Sequence, residues 1–459
     1  MYNFAIRTLV CLATVCCALT DTVQASDAPK LRVATFQVDA TPPLNGHPLI
    51  WVTQVKTVET PLLAKGIVID DGAKRYVICS LDWCGLCNST HDLFRSKLAA
   101  GAGTDISRVA VQTVHQHTAP YTDSDAQRLI EKTEKAPLFA DLKFLDDLTD
   151  RLAAAVKKSL DELQPFDSIG TGEAKVDRVA SSRRIITPDG KFHGRMSSTK
   201  NPLLQALPEG HIDPMLKTIT LAQGDKPLVR MHYYATHPQS FYGDPRTSYD
   251  TAGFARERLQ EKEGVFQIYF NGCGGDVAMG KYNNASREAR DELTDRLFAG
   301  MAASAASTKL QPVGQLKWRT VDLLLPAREE SKEGQEKLVA QYLATMADAK
   351  ANPVKRCRAA CRVAFNRRIE RPILINSLEF GNVHMLHLPG ECMVDYQLYA
   401  QSVKPKDFVA VAAYGDLAPG YICTEKSFSE GGYEPSASRA GRTTEPVLKA
   451  AIRELLGSE

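Results

Sequence analysis

The 459-residue chain has no excess of one charge: 56 Lys and Arg stand against 54 Asp and Glu, for a net charge of +2. That balance provides no field able to hold a nucleic acid or an anionic membrane by electrostatics alone, so nucleic acid is not an expected partner and any membrane contact would have to come from an apolar rim around a pocket. No Pro/Gly/Ser-rich linker, internal repeat or low-complexity run divides the sequence, and no heptad pattern suggests a fibrous chain. Past the N-terminus there is no apolar run long enough to span a bilayer. Cys84-x-x-Cys87 has no second CxxC or neighbouring Cys/His pair to complete a structural zinc knuckle. With 44% hydrophobic and 24% charged residues, the composition is that of an ordinary globular protein able to bury a large core.

The first 25 residues hold Arg7, an apolar run over 9–19, and Val23 and Ala25 at the −3 and −1 positions. This is the pattern of a cleaved secretory signal over 1–25, with export to a periplasmic or extracellular location and a mature chain over 26–459. Eight cysteines follow it: Cys79, Cys84, Cys87, Cys273, Cys357, Cys361, Cys392 and Cys423. In an oxidising compartment some of these are expected to pair, among on the order of a hundred possible connectivities.

Strand-like and helix-like patterns alternate. Runs over 62–70 and 76–81 flank Asp71-Gly72, a hairpin signal, and runs over 216–221 and 228–234 flank Gly224-Asp225. Residues 108–114, 373–388 and 408–413 read as strands; 138–163, 251–262, 286–305, 328–350 and 446–456 read as helices. This mixture of hairpins and helices predicts one large layered α/β (mixed α+β) domain with mixed sheets.

Chemistry-bearing residues gather at the predicted strand ends. In Val114-His115-Gln116-His117-Thr118-Ala119-Pro120, side chains two apart on a strand share a face, so the two imidazoles are expected to project together from a strand that Pro120 terminates. They suit a metal ligand beside an acid/base group, or two ordinary structural histidines. His237 precedes Pro238, which confines it to extended conformations at the end of another apolar run. Glu391 follows Leu388-Pro389-Gly390, either as a helix N-terminal carboxylate favoured by the dipole or as a ligand. Two His and one Glu are what catalytic zinc sites use, with a position left for water or substrate. Phe270-Asn271-Gly272-Cys273-Gly274-Gly275-Asp276 lacks the Lys-Ser/Thr end of a phosphate loop and reads as a tight turn passing near the site. Tyr421 and Tyr433 lie in glycine-rich loops, as site groups or as simple anchors.

Taken in order, Val-His115-Gln-His117-Thr-Ala-Pro, Ala-Thr-His237-Pro, Gly-Gly-Asp276-Val, Leu-Pro-Gly-Glu391, Gly-Tyr421 and Gly-Tyr433-Glu resemble the catalytic domain of the neutral/alkaline (non-lysosomal) ceramidase family, with Ala40–Pro43 matching its opening segment. The resemblance implies a zinc amidase that hydrolyses the N-acyl bond of ceramide to sphingosine and fatty acid. It implies His115, His237, Glu391 and Tyr421 as Zn2+ ligands, with His117, Tyr433 and Arg183 as catalytic groups. Arg183 falls in Ser182-Arg183-Arg184, where the family has Asn-Arg. Two other departures are His-Thr-Ala-Pro in place of His-Ser-Gly-Pro, and the expectation that the family's C-terminal β-sandwich is absent. A zinc hydrolase of the same fold acting on another amide or ester, and a secreted binding protein with a degenerate site, are the alternative readings.

Overall fold

The computed structural model describes Met1 and residues 31–458, so the signal-peptide expectation lies outside the described residues. Three larger mixed sheets share one interior. In the first, five strands run in the order Val109–Thr113, Arg75–Leu81, Leu63–Asp70, Arg32–Asp39, Gln164–Pro165. In the second the order is Phe266–Asn271, Lys226–Tyr234, Met215–Gln223, Ser168–Lys175, Lys309–Pro312. The third has four strands, Lys317–Leu323, Ile373–Phe380, Val383–His387 and Phe408–Ala412.

Period-2 alternation of side chains explains how they stack. Ile67, Ile69 and Ile78 of the first sheet meet Ile219, Leu221, Met231 and Ile268 of the second and Leu378, Met385 and Ala410 of the third in one buried cluster. The residues between them point outward, and helices cover that face. Val68, Val77 and Cys79 pack beneath the helices Ser89–Ala102 and Leu142–Ser159 through Phe94, Leu98, Leu148 and Leu152. Asp250–Glu263 and Arg287–Ala306 cover the second sheet, and Val394–Val403 and Thr444–Leu455 the third. Strands such as Leu63–Asp70, Val109–Thr113, Ile373–Phe380 and Val383–His387 are thus buried on both faces and read as near-continuous apolar runs, while outer strands such as Lys309–Pro312 and Lys317–Leu323 stay partly exposed.

Both anticipated hairpins form, the second turning on Gly224 at φ +56°. The expected 328–350 helix is Lys332–Ala347, and a second helix not anticipated, Pro353–Arg367, packs back against it. It begins on an Asn352 side-chain cap with Pro353 in the first turn. The expected cysteine pairing is not found: all eight cysteines are free and buried. Cys84 and Cys87 lie apart, Cys84 beside His115 and Cys87 beside Tyr121, whereas Cys273 and Cys392 meet in one buried cluster as thiols. No helix among the described residues is long and apolar enough to cross a membrane.

Candidate metal centre

Each larger sheet contains one parallel strand pair, and those pairs build the site. They are Arg75–Leu81 with Val109–Thr113, Lys226–Tyr234 with Phe266–Asn271, and Val383–His387 with Phe408–Ala412. Loops leaving the C-terminal ends of parallel strands converge above the sheet edge, the usual location of a ligand crevice in such sheets.

Strand Val109–Thr113 stops two residues short of His115, so strand alternation does not orient His115 and His117. Instead His115 turns into the left-handed region at φ +72°, uncommon for a residue with a Cβ, and is held there by the bond from its amide to Trp83 O at 2.9 Å. The ring lies 4.4 Å from the Tyr414 ring, centroid to centroid. Its Nδ1 is 2.6 Å from Cys84 O. A carbonyl can only accept, so Nδ1 carries a proton and Nε2 faces inward, where it can take up a proton or a metal. His237 repeats the arrangement: Nδ1 donates to Gly274 O at 2.6 Å and Nε2 turns inward.

Glu391 Oε2 stands 3.3 Å from His115 Nε2 and 3.1 Å from His237 Nε2. The ligand atoms of all three residues lie within 4.8 Å of one another, fully buried. Glu391–Cys392 pairs in parallel with Tyr421–Ile422, bringing Tyr421 directly beside Glu391. Tyr421 Oη is then 3.5 Å from His237 Nε2 and accepts from Arg183 Nη1 at 3.1 Å. Arg183 Nη1 is also 3.4 Å from His237 Nε2, and its Nε is 3.0 Å from Glu434 Oε1. Arg184 turns away to Glu434 and Glu430, so of the two arginines it is Arg183 that reaches the group. His117 Nε2 is 3.4 Å from His115 Nε2, with Trp51 edge-on to its ring at 5.2 Å. Tyr433 is 40% exposed and meets the Tyr421 ring at 5.6 Å, where the cluster opens into a cleft of about 290 Å³.

The field at this point favours a cation. Burial alone would raise the Glu391 carboxyl, but His115 and His237 outweigh it and hold it well below the usual range. Burial works downward on His115, yet Cys84 and Glu391 carry it up to about 10. Burial lowers His237, and burial with the neighbouring imidazoles lowers His117 well below its ordinary value. A divalent metal suits the place where the structure concentrates this proton affinity: two imidazole nitrogens, both fixed by carbonyls behind them, and one carboxylate oxygen.

Sequence reasoning missed Tyr414, buried against His115 and itself left-handed at φ +63°, and Trp51 beside His117. The signal for Tyr414 was its place just past the strand Phe408–Ala412, the same place His115 and His237 take after theirs. Cys84 stood out as half of a CxxC, whereas its contribution is a backbone carbonyl and a thiol 3.7 Å from His115 Nδ1.

No protein-family model and no curated protein sequence matches the chain. Solved structures do. A neutral ceramidase from Pseudomonas aeruginosa superposes with a TM-score of 0.68 at 16% identity, covering 94% of this chain and 74% of that one. A ceramidase complexed with C2 gives a TM-score of 0.67 at 14% identity, covering 93% and 74%. At such identities the likeness establishes the fold, which is that of the neutral ceramidases.

Proposed function

We propose that the protein is an exported zinc-dependent amidohydrolase of neutral-ceramidase type, with a signal peptide over 1–25 and its catalytic domain over 26–459. It cleaves the N-acyl bond of ceramide or a related N-acyl lipid to a sphingosine-type amine and a fatty acid. The observation that carries this reading is the buried convergence of His115, His237 and Glu391 at the floor of a cleft, each imidazole pinned through Nδ1.

His115, His237, Glu391 and Tyr421 would hold the zinc ion. When bound, zinc supplies a water of lowered pKa, from roughly 15.7 to about 7, and polarises the acyl carbonyl. The remaining work falls to the chain. His117 stands 3.4 Å from His115 Nε2, where it can take a proton as water adds to the acyl carbon and return it to the nitrogen as the C–N bond breaks. Arg183, with its fixed charge, and Tyr433 at the mouth are placed to donate to the oxyanion that develops on the acyl oxygen. The Glu434 pair fixes Arg183 in that orientation beforehand.

The test is metal analysis of the purified protein followed by incubation with N-acyl sphingosines and simple N-acyl amides. Stoichiometric zinc and chelator-sensitive release of fatty acid from ceramide are expected. Turnover of other amides or esters alone would shift the reading to a different substrate on the same fold, and a protein with neither zinc nor turnover would be a binding protein.

A further inference from the structure

The lining of the cleft is basic in a way the hydrolytic groups do not require. Arg358 and Arg362 lie one turn apart on the helix Pro353–Arg367 and both line the cleft, as does Arg439. Among the described residues, none of the three has a carboxylate within ion-pair distance. Arg362 Nη1 donates to Tyr342 Oη at 3.0 Å and sits over that ring. Arg439 is held by neutral acceptors, Ala418 O at 2.8 Å and Tyr121 Oη at 3.1 Å. Asp123, which acts on Arg439 through space, spends its carboxylate on Asn88 Nδ2 and on the amides of Asp125 and Ala126.

Other arginines of the molecule show what a purely structural role looks like here. Arg356, on the same helix, is buried with four acceptors, Arg256 is bidentate to Asp82, and Arg368 pairs with Asp416. Among the residues lining the cleft Glu391 is the one acid, and it belongs to the candidate metal group. Guanidinium groups left without counter-charge around a cleft form a fork-shaped receptor for an oxyanion, since each offers planar paired donors. The apolar lining of the same cleft, Ile50, Phe139 and Val354, suits a hydrocarbon chain.

We propose that the substrate is an amphiphilic amide carrying an oxyanion group, such as a carboxylate, which Arg358, Arg362 and Arg439 bind while the acyl bond lies over His115, His237 and Glu391. This rests on the hydrolase reading above and narrows it from neutral ceramide to an acidic N-acyl compound.

The test compares the zinc-loaded full chain on two acids with their primary amides: N-dodecanoylglycine, charged on the amine side, and N-dodecylsuccinamic acid, charged on the acyl side. For at least one acid, kcat/KM is expected to exceed that of its amide tenfold or more, mostly through KM, with the ratio falling toward one in R358Q/R362Q. Equal rates on acid and amide in the unsubstituted protein would overturn the inference while leaving the hydrolase reading intact. Should a zinc-bound protein hydrolyse none of the four, calorimetry decides the anion site on its own, and the hydrolase reading fails only if ceramide is not cleaved either. Tenfold tighter binding of an acid than of its amide, lost in R358Q/R362Q, supports the site, and equal binding overturns it.

Discussion

Both candidate-ligand histidines follow one strand of a parallel pair, and in both cases the loop after the partner strand returns a carbonyl to Nδ1 at 2.6 Å, Cys84 O for His115 and Gly274 O for His237. The ends differ in how the chain gets there. His115 requires a left-handed backbone, whereas His237 is extended ahead of Pro238 and bonded by its amide to Val277 O. The loop acids differ as well. Asp82, after Arg75–Leu81, is bidentate to the buried Arg256 at 2.7 and 2.9 Å. Asp276, after Phe266–Asn271, is buried with no cation paired to it among the described residues and accepts from Val394 N at 2.9 Å. Ring orientation therefore follows from the parallel topology, which the two ends share, and the backbone route and local charge are free to vary.

If the ends are equivalent as ligands, H115A and H237A should lose bound zinc to the same degree and cut amide hydrolysis by at least about a thousandfold, the equivalent of several kcal/mol of metal-derived stabilisation. Metal content and kcat/KM measured side by side check this; a variant keeping full zinc would break the symmetry. The electrostatic difference should appear in stability. D82N leaves Arg256 buried with only Glu257 and is expected to cost about 3–5 kcal/mol in denaturant unfolding. At the other end burial raises the Asp276 carboxyl to about 7. The folded chain then keeps a proton that the unfolded chain has already lost, so this group costs stability progressively as pH rises from about 4 to 7 and nothing below. D276N removes the cost, and its stability relative to the parent should climb by about 2–4 kcal/mol across that window, read from unfolding midpoints at pH 4 and 7.5. The smallest effect is steric: in G275A a Cβ would lie 2.4 Å from Glu391 O, and about 1–3 kcal/mol of stability should go, with weaker zinc retention.

Much of the scaffold was legible because it rests on local rules. Asp71-Gly72 and Gly224-Asp225 mark their hairpins through turn chemistry, and the periodic helices Asp250–Glu263 and Arg287–Ala306 begin and end within a residue of where the apolar spacing places them. The order of site motifs was legible too, since His115, His237, Asp276 and Glu391 each come shortly after an apolar strand. What escaped depended on long-range packing. The left-handed turn that swings His115 toward His117 is set by Trp83 and Cys84, which no spacing rule connects to it. Tyr414 is a site residue only because the third sheet meets the first there: Thr113 N donates to Tyr414 O at 2.9 Å. The helix Pro353–Arg367, source of two cleft arginines, has its start marked only by Asn352-Pro353 and an inward face of small Ala and Cys residues, a weak periodic signal.

The eight unpaired thiols give the molecule a property that its fold alone does not advertise. With these eight sulfurs buried, each is expected to react with a thiol reagent only when its part of the fold opens. Each sheet and its covering helices then carries a built-in clock, Cys79 in the first, Cys273 at the edge of the second, Cys392 and Cys423 beside the third. The rate at which each is alkylated under native conditions measures how often that part of the molecule opens.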